Sequence, residues 1–192
     1  ISADFQSIFT RMGHEGIELQ RNRVIEIDDM IAVKSESPGG SVLDILLPLN
    51  QMSDFITILE AAEYSEMSED RWNFVRLLVC IPNLTDISGN LPNECGMVNL
   101  VSNDKGCYPG QEVHARLESR GKTVKRLCLL TGEAPISPGK YRLSNGSPIH
   151  ISSCESSDNV SYGIAKLRVD DIETGYVSLD GVNWKVEPIS YL

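Results

Sequence analysis

The spacing of apolar residues changes several times along the chain, and each change predicts an element. Residues Ser2 to Met12 set Phe5, Ile8 and Phe9 on one side of a short helix that Gly13 and Gly16 close. From Ile17 to Val33 the apolar residues alternate in part, through Val24, Ile25, Ile27, Ile31 and Val33, which predicts one or two strands with a turn at Asp28 and Asp29. Ser35 to Gly40 reads as a loop, and Val42 to Leu47 as a buried strand stopped by Pro48. Met52 to Glu63 carries Phe55, Ile56, Leu59 and Ala62 at helical spacing. A further helix, Glu69 to Ile81, presents Trp72, Val75, Leu78 and Val79, and Pro82 ends it.

Beyond Pro82 the pattern loosens. Thr85 to Asn93 reads as a polar loop, Met97 to Val101 as a short strand, and Gln111 to Ser119 as a helix. Val124 to Leu130 is a strongly apolar strand. Ile149 to Ser152, Tyr162 to Val169, Gly175 to Leu179 and Trp184 to Ile189 follow, separated by Ser-Asn-Gly, Ser-Ser-Asp-Asn and Asp-Gly turns. Short strands at such spacing, without helices, make a small barrel or sandwich. The fold class expected is α+β, with a mixed domain at 1–121 and an all-β domain at 122–192.

A chain of 192 residues suits one domain or two small ones, and 41% hydrophobic residues suffice for a core. The formal charge of −10 argues against a nonspecific phosphate-backbone binder, so no nucleic acid is expected as partner. One local cluster, Arg116, Arg120, Lys122, Lys125 and Arg126, runs against that balance; it is either an anion site or a solvated surface offsetting acidic neighbours. No apolar run approaches bilayer length, no signal or transit pattern is visible, and no membrane partner is expected.

The cysteines (Cys80, Cys95, Cys107, Cys128 and Cys154) are odd in number and widely spaced, without a Cys-x-x-Cys pair. This suits a reducing intracellular compartment, bacterial cytoplasm and organelle matrix alike. Cys80 and Cys128 lie in apolar runs and read as core; Cys95 and Cys154 lie in polar, turn-rich stretches and read as exposed. His14, His114 and His150 have no metal-ligand spacing, and no metal site is expected.

The stretch from Lys105 to Arg116, Lys-Gly-Cys-Tyr-Pro-Gly-Gln-Glu-Val-His-Ala-Arg, is not explained by packing alone. Gly106 and Gly110 shape a turn around Cys107, Pro109 stiffens it, and a helix starts just after it. A thiol presented before a helix N-terminus, with Lys105 nearby, is biased toward thiolate. The competing reading is a buried cysteine acting as a small hydrophobe. Gln111 and Glu112 are placed to cap the first helical turn, Arg116 can pair with Glu112 at i,i+4, and Tyr108 can pack beneath the loop.

This motif, with Ala115-Arg116 and then Arg120-Gly121, resembles the signature of the YgfZ family. These are folate-binding proteins of iron–sulfur cluster maturation, related to the aminomethyltransferase (T-protein) of the glycine cleavage system. Trp72 to Pro82 resembles the family's aromatic, arginine-containing helix, with Leu78 and Cys80 where a glutamate and a glycine are usual. Leu91 to Glu94 and the closing Val-Glu-Pro-Ile-Ser-Tyr-Leu add weaker likeness, which runs from about Ser41 to Leu192.

The resemblance implies a T-protein-like folate-binding domain at 1–121, incomplete at its N-terminus, followed by a small β-barrel at 122–192. The first strands of the folate-binding ring precede Ile1 in the family, so a processed or truncated piece and a shortened relative are both open. Tetrahydrofolate is the implied cofactor, and iron–sulfur assembly or client proteins are the implied partners. Cys107 is the implied functional thiol. Asp44 falls where the superfamily carries a glutamate against the pterin; an acid on the solvated side of a strand is the alternative. Arg76 matches the family's helix arginine, and can hold a carboxylate of the folate tail or of a neighbouring strand. Two other functions remain open: an aminomethyltransferase, and an interaction module that binds no folate.

Overall fold

In the computed structural model, which describes residues 5–21, 23–37, 40–102, 106–120 and 123–190, the alternation between Val24 and Leu46 becomes an antiparallel sheet. Strands β1 (Val24–Ile27), β2 (Met30–Ser37) and β3 (Gly40–Leu46) lie in the order β1-β2-β3. Asp28 makes the first turn with φ of 50°, a conformation that Asp tolerates better than most residues. The loop expected over 35–40 is mostly strand: Lys34 pairs with Leu43, Ser35 with Val42 and Ser37 with Gly40. Polar side chains do not oppose a strand whose backbone groups find partners across a hairpin. Residues 38 and 39 lie outside the described residues.

One face of this sheet is covered. Helix α1 (Phe5–Arg11) brings Phe9 into a cluster with Ile27, Met30 and Ala32, flanked by Ile25, Leu43 and Ile45. After Pro48 a short 3-10 turn, Leu49–Gln51, runs straight into helix α2 (Met52–Ala61), which buries Phe55. These elements make one compact unit, Ile1–Glu69.

The second unit, Asp70–Leu192, is built on six antiparallel strands. They are β4 (Lys125–Gly132), β5 (Gly139–Arg142), β6 (Pro148–Ser157), β7 (Val160–Arg168), β8 (Tyr176–Leu179) and β9 (Val182–Pro188), in the order β5-β6-β7-β4-β9-β8, a curled half-barrel. The unbroken apolar run of β4 reflects burial on both faces. Cys128 and Leu130 point into the curl with Ile151, Leu167, Trp184 and Val186. Leu127 and Leu129 point outward, against Leu77, Cys80, Cys95, Ile164 and Ile189.

That outer cluster explains why compactness divides the chain at 69/70 rather than at 121/122. Helix α3 (Glu69–Leu78) and the segment around Cys95 pack on the sheet and share its core. The backbone agrees, since Leu127 donates to the Glu94 carbonyl at 2.7 Å and Ile189 to that of Leu127 at 3.0 Å.

Several elements depart from the sequence expectation. The polar stretch at Thr85 is a short helix, α4 (Leu84–Ile87), because Asn83 and Asp86 form a reciprocal capping box. The strand expected at Met97 to Val101 is a 3-10 turn, Val98–Leu100. Helix α5 (Gln111–Arg120) falls at its expected place, while β5 and the short helix α6 (Val169–Ile172) carry too weak a periodicity to be read. Among the described residues no helix is long and apolar enough to cross a membrane.

Candidate functional site

The register of the N-terminal sheet determines what surrounds Asp44. Val33 lies directly opposite Asp44, and Val24 directly opposite Val33, so these three form one cross-strand row. Glu26, Ile31 and Leu46 form the next row on the same face. This is the sheet face opposite the one covered by Phe9 and its neighbours, and Val24, Ile31 and Leu46 are exposed on it. An antiparallel sheet with one solvated face normally alternates apolar inside and polar outside. Here the outer face is largely apolar, with the carboxylates of Glu26 and Asp44 set into it. Among the described residues Asp44 makes no hydrogen bond or ion pair.

A flat apolar patch with a free carboxylate suits a planar heterocycle that carries adjacent N–H donors. Such a ring lies on the branched side chains and gives the carboxylate two parallel hydrogen bonds. A pterin is one ring with that donor pattern; the sheet neighbours Val33, Ile31 and Leu46 were not apparent from sequence. Period-two spacing of Val42, Asp44 and Leu46 is the signal that could have found part of this face.

The cysteine loop belongs to the second unit. Cys107 is exposed and free, two residues after the segment 103–105 that lies outside the described residues. Lys105 is in that segment. Gly110 takes φ of 90°, as a tight turn into α5 requires, whereas Gly106 does not use the left-handed region. Tyr108 is half-buried, and its carbonyl accepts from the Gln111 N–H at 3.2 Å. Arg116 donates to the Glu112 carboxylate one turn earlier, the i,i+4 pair expected from the sequence. Of His114 nothing beyond its place in α5 is described.

The other four thiols sit in a different electrostatic setting. Burial pushes Cys128 up from an ordinary 9.0 to about 12. Cys80, Cys95 and Cys154 are also raised, in each case mainly by burial and then by a nearby glutamate. Cys95, expected on the surface, is buried beneath α3, and Cys154 is half-buried, with its thiol directed at the Ile136 carbonyl at 3.2 Å. A buried neutral thiol is a poor nucleophile. Of the five thiols Cys107 is the exposed one, and Cys154 is half-buried.

Arg76 holds a carboxylate of the protein itself. It is 5% exposed, and its Nη1 lies 2.9 Å from Oδ2 of Asp86, which is 1% exposed. Asp86 also accepts from the Asn83 N–H at 2.8 Å and, through Oδ1, from the hydroxyls of Ser152 and Ser153. Successive residues on a strand ordinarily point to opposite faces. A register shift between Ile151 and Ser153 turns both serines toward the same carboxylate. Asp86 has a sequence signal in the Asn83-x-x-Asp86 spacing of the capping box, but its ion pair with Arg76 has none. Near it, Lys166 donates to Asn90 and to Glu94, the latter at 2.9 Å, in a second half-buried tie between sheet and helices.

Asp44 therefore belongs to the first unit, and Cys107, Arg76, Glu112 and Arg116 to the second. Among the described residues no group of His, Cys, Asp and Glu forms a metal site.

The fold has a known counterpart. The aminomethyltransferase T of the glycine cleavage system from Bartonella henselae superposes with a TM-score of 0.74 over 97% of this chain, at 16% identity and over 56% of its own length. The tRNA-modifying protein YgfZ of Vibrio atlanticus is 23% identical over 178 residues, 80% of this chain and 54% of that protein. The chain is thus similar to YgfZ in sequence and has the T-protein fold. A stretch of 56 residues, 29% of this chain, is 41% identical to the chloroplastic protein At1g60990 of Arabidopsis thaliana, of which it covers 13%. No family model matches the chain. The chain spans about half the length of the Vibrio and Bartonella proteins.

Proposed function

We propose that this YgfZ-like chain is a tetrahydrofolate-binding accessory protein for iron–sulfur cluster assembly or repair, working through Cys107. The observation that carries the reading is the exposure of Cys107 in a glycine-bounded loop while the other four thiols are buried or half-buried. A single thiolate offers one ligand to a cluster in transit, or attacks a disulfide in a client; it cannot hold a cluster alone. The remaining ligands come from the partner, an assembly or client protein. An intracellular compartment keeps this thiol reduced.

Asp44 and the apolar sheet face are the folate-facing part of the proposal. The pterin ring lies on Val33, Ile31 and Leu46, and the Asp44 carboxylate accepts from its amino group and ring N–H. Tetrahydrofolate supplies a reduced pterin able to carry one-carbon units. The acidic balance of the chain makes a nucleic-acid backbone an unsuitable partner. The T-protein fold favours a second reading, an aminomethyltransferase, in which the same ligand takes a methylene group and Cys107 is dispensable.

Calorimetry of tetrahydrofolate on the full chain and on Asp44→Ala, with thiol alkylation on the same samples, tests the reading. At least tenfold weaker binding in the variant, about 1.4 kcal/mol, together with one fast-reacting thiol lost in Cys107→Ser, is expected. Equal affinity in Asp44→Ala overturns the pterin contact. A slow Cys107 overturns the thiol role, and turnover in an aminomethyl-transfer assay that survives Cys107→Ser selects the second reading.

A further inference from the structure

The negative charge of this protein is concentrated. Residues 1–69 hold thirteen Asp and Glu against four Lys and Arg, while residues 70–192 hold fourteen against thirteen. The four cations of the first stretch all precede residue 35. From Ser35 to Asp70 there is no Lys, Arg or His and there are eight carboxylates.

Within this stretch lies an apolar stripe. Leu49, Met52 and Ile56 follow at spacings of three and four where the 3-10 turn Leu49–Gln51 continues into α2, so they line up along one side of the helix. They are 85%, 39% and 47% exposed, whereas Phe55 on the neighbouring side is buried. Glu60 continues the line one turn beyond Ile56, and Glu63 and Glu66 follow the helix end, all three exposed.

The acidic end of the stripe has no basic residue on its own helix. The C-terminus of a helix carries partial negative charge and favours cations. The last turn of α2 has no basic residue and contains Glu60 instead. Glu63, just past the Ala62 cap, holds φ of 65°, a left-handed conformation that glycine adopts most readily at this position. Carboxylates and helix dipole thus add their negative potential at one end of an exposed apolar line.

We propose that the α2 face is a docking site for a basic amphipathic helix of a partner protein. Its apolar side lies along Leu49, Met52 and Ile56, and its Lys or Arg side chains meet Glu60, Glu63 and the C-terminus of α2. A second copy of this chain is the wrong occupant on electrostatic grounds, because it would bring the same carboxylates to the same face. The proposal does not depend on folate binding or on Cys107.

The test uses the full chain and a fluorescein-labelled helical peptide of leucine and lysine, with leucines at i, i+3, i+4 and i+7. Anisotropy titration is repeated with a leucine–glutamate peptide, with a lysine–serine peptide that has no apolar face, and on two variants. The first variant combines Leu49→Ser, Met52→Ser and Ile56→Ser, all at exposed positions; the second combines Glu60→Gln and Glu63→Gln. Circular dichroism confirms that both keep the fold. Expected are binding of the leucine–lysine peptide alone, at least tenfold loss in each variant, and weakening as salt is raised. Unchanged affinity in the serine variant overturns the proposal, as does equal binding of the lysine–serine peptide. Sedimentation of the chain as a dimer that the serine variant converts to monomer also overturns it, by assigning the face to a second copy.

Discussion

The guanidinium of Arg76 and the carboxylate of Asp86 meet at 2.9 Å with almost no solvent access to either side chain. The pair joins α3 to the capping box of α4, and the two serines at the β6 bulge join that carboxylate to the sheet. A buried ion pair contributes little over a well-packed apolar replacement, but removing one partner leaves a desolvated charge.

Asp86→Ala should therefore destabilise the second unit by about 3–5 kcal/mol. Urea unfolding followed by circular dichroism measures this. Arg76→Met combined with Asp86→Leu should recover most of the loss, and failure of the double variant to recover would show that the serine contacts carry the effect instead.

Ser152→Ala and Ser153→Ala remove donors to one oxygen. Each should cost about 0.5–1.5 kcal/mol. Because both act on the same carboxylate, their effects should not add, and a double-mutant cycle in denaturant reads the coupling. Strict additivity would mean that the bulge does not bring them to a common acceptor.

Cys128 titrates at about 12 in the folded protein, against 9.0 ordinarily, through burial. A raised folded value means that the unfolded chain loses its proton first as pH rises. The thiol's contribution is complete below pH 9 and is lost between pH 9 and about 12, at about 1.4 kcal/mol per pH unit. Unfolding free energies of the wild type and of Cys128→Ala should run parallel from pH 6 to 8 and converge above pH 9. Parallel curves throughout would place the Cys128 thiol in contact with water.

Gly96 has φ of 73°, and a Cβ built on it would stand 2.1 Å from the Ile189 carbonyl oxygen. Backbone cannot give way there without breaking the bond between Ile189 and Leu127. Gly96→Ala should cost more than about 1 kcal/mol, the ordinary conformational penalty, with the excess coming from the clash. The thermal midpoint, compared with Gly89→Ala, separates the two terms, since Gly89 has a similar φ of 72° and open space around it.

What was legible along the chain was whatever repeats locally. The helices at Phe5, Met52, Glu69 and Gln111 and the strands at Val24, Gly40, Lys125, Pro148, Val160, Tyr176 and Val182 all announce themselves by period, composition or turn residues. The loop around Cys107 was legible for the same reason, because two glycines and a proline constrain the backbone without help from distant residues. Short elements such as α4, α6 and β5 were not, since four residues give too few repeats of any period.

The sequence by itself determined the α+β class, the motif at Lys105 to Arg116 and the acidic, cation-free stretch from Ser35 to Asp70, because each is a property of neighbouring residues. Only the tertiary structure decided that Arg76 answers Asp86, that Cys95 is buried while Cys107 is exposed, and that Asp44 shares a face with Val33, Ile31 and Leu46. Those outcomes depend on strand register and on packing between residues distant in the chain. A one-residue slip of β2 against β3 would have turned Asp44's apolar neighbours to the opposite side.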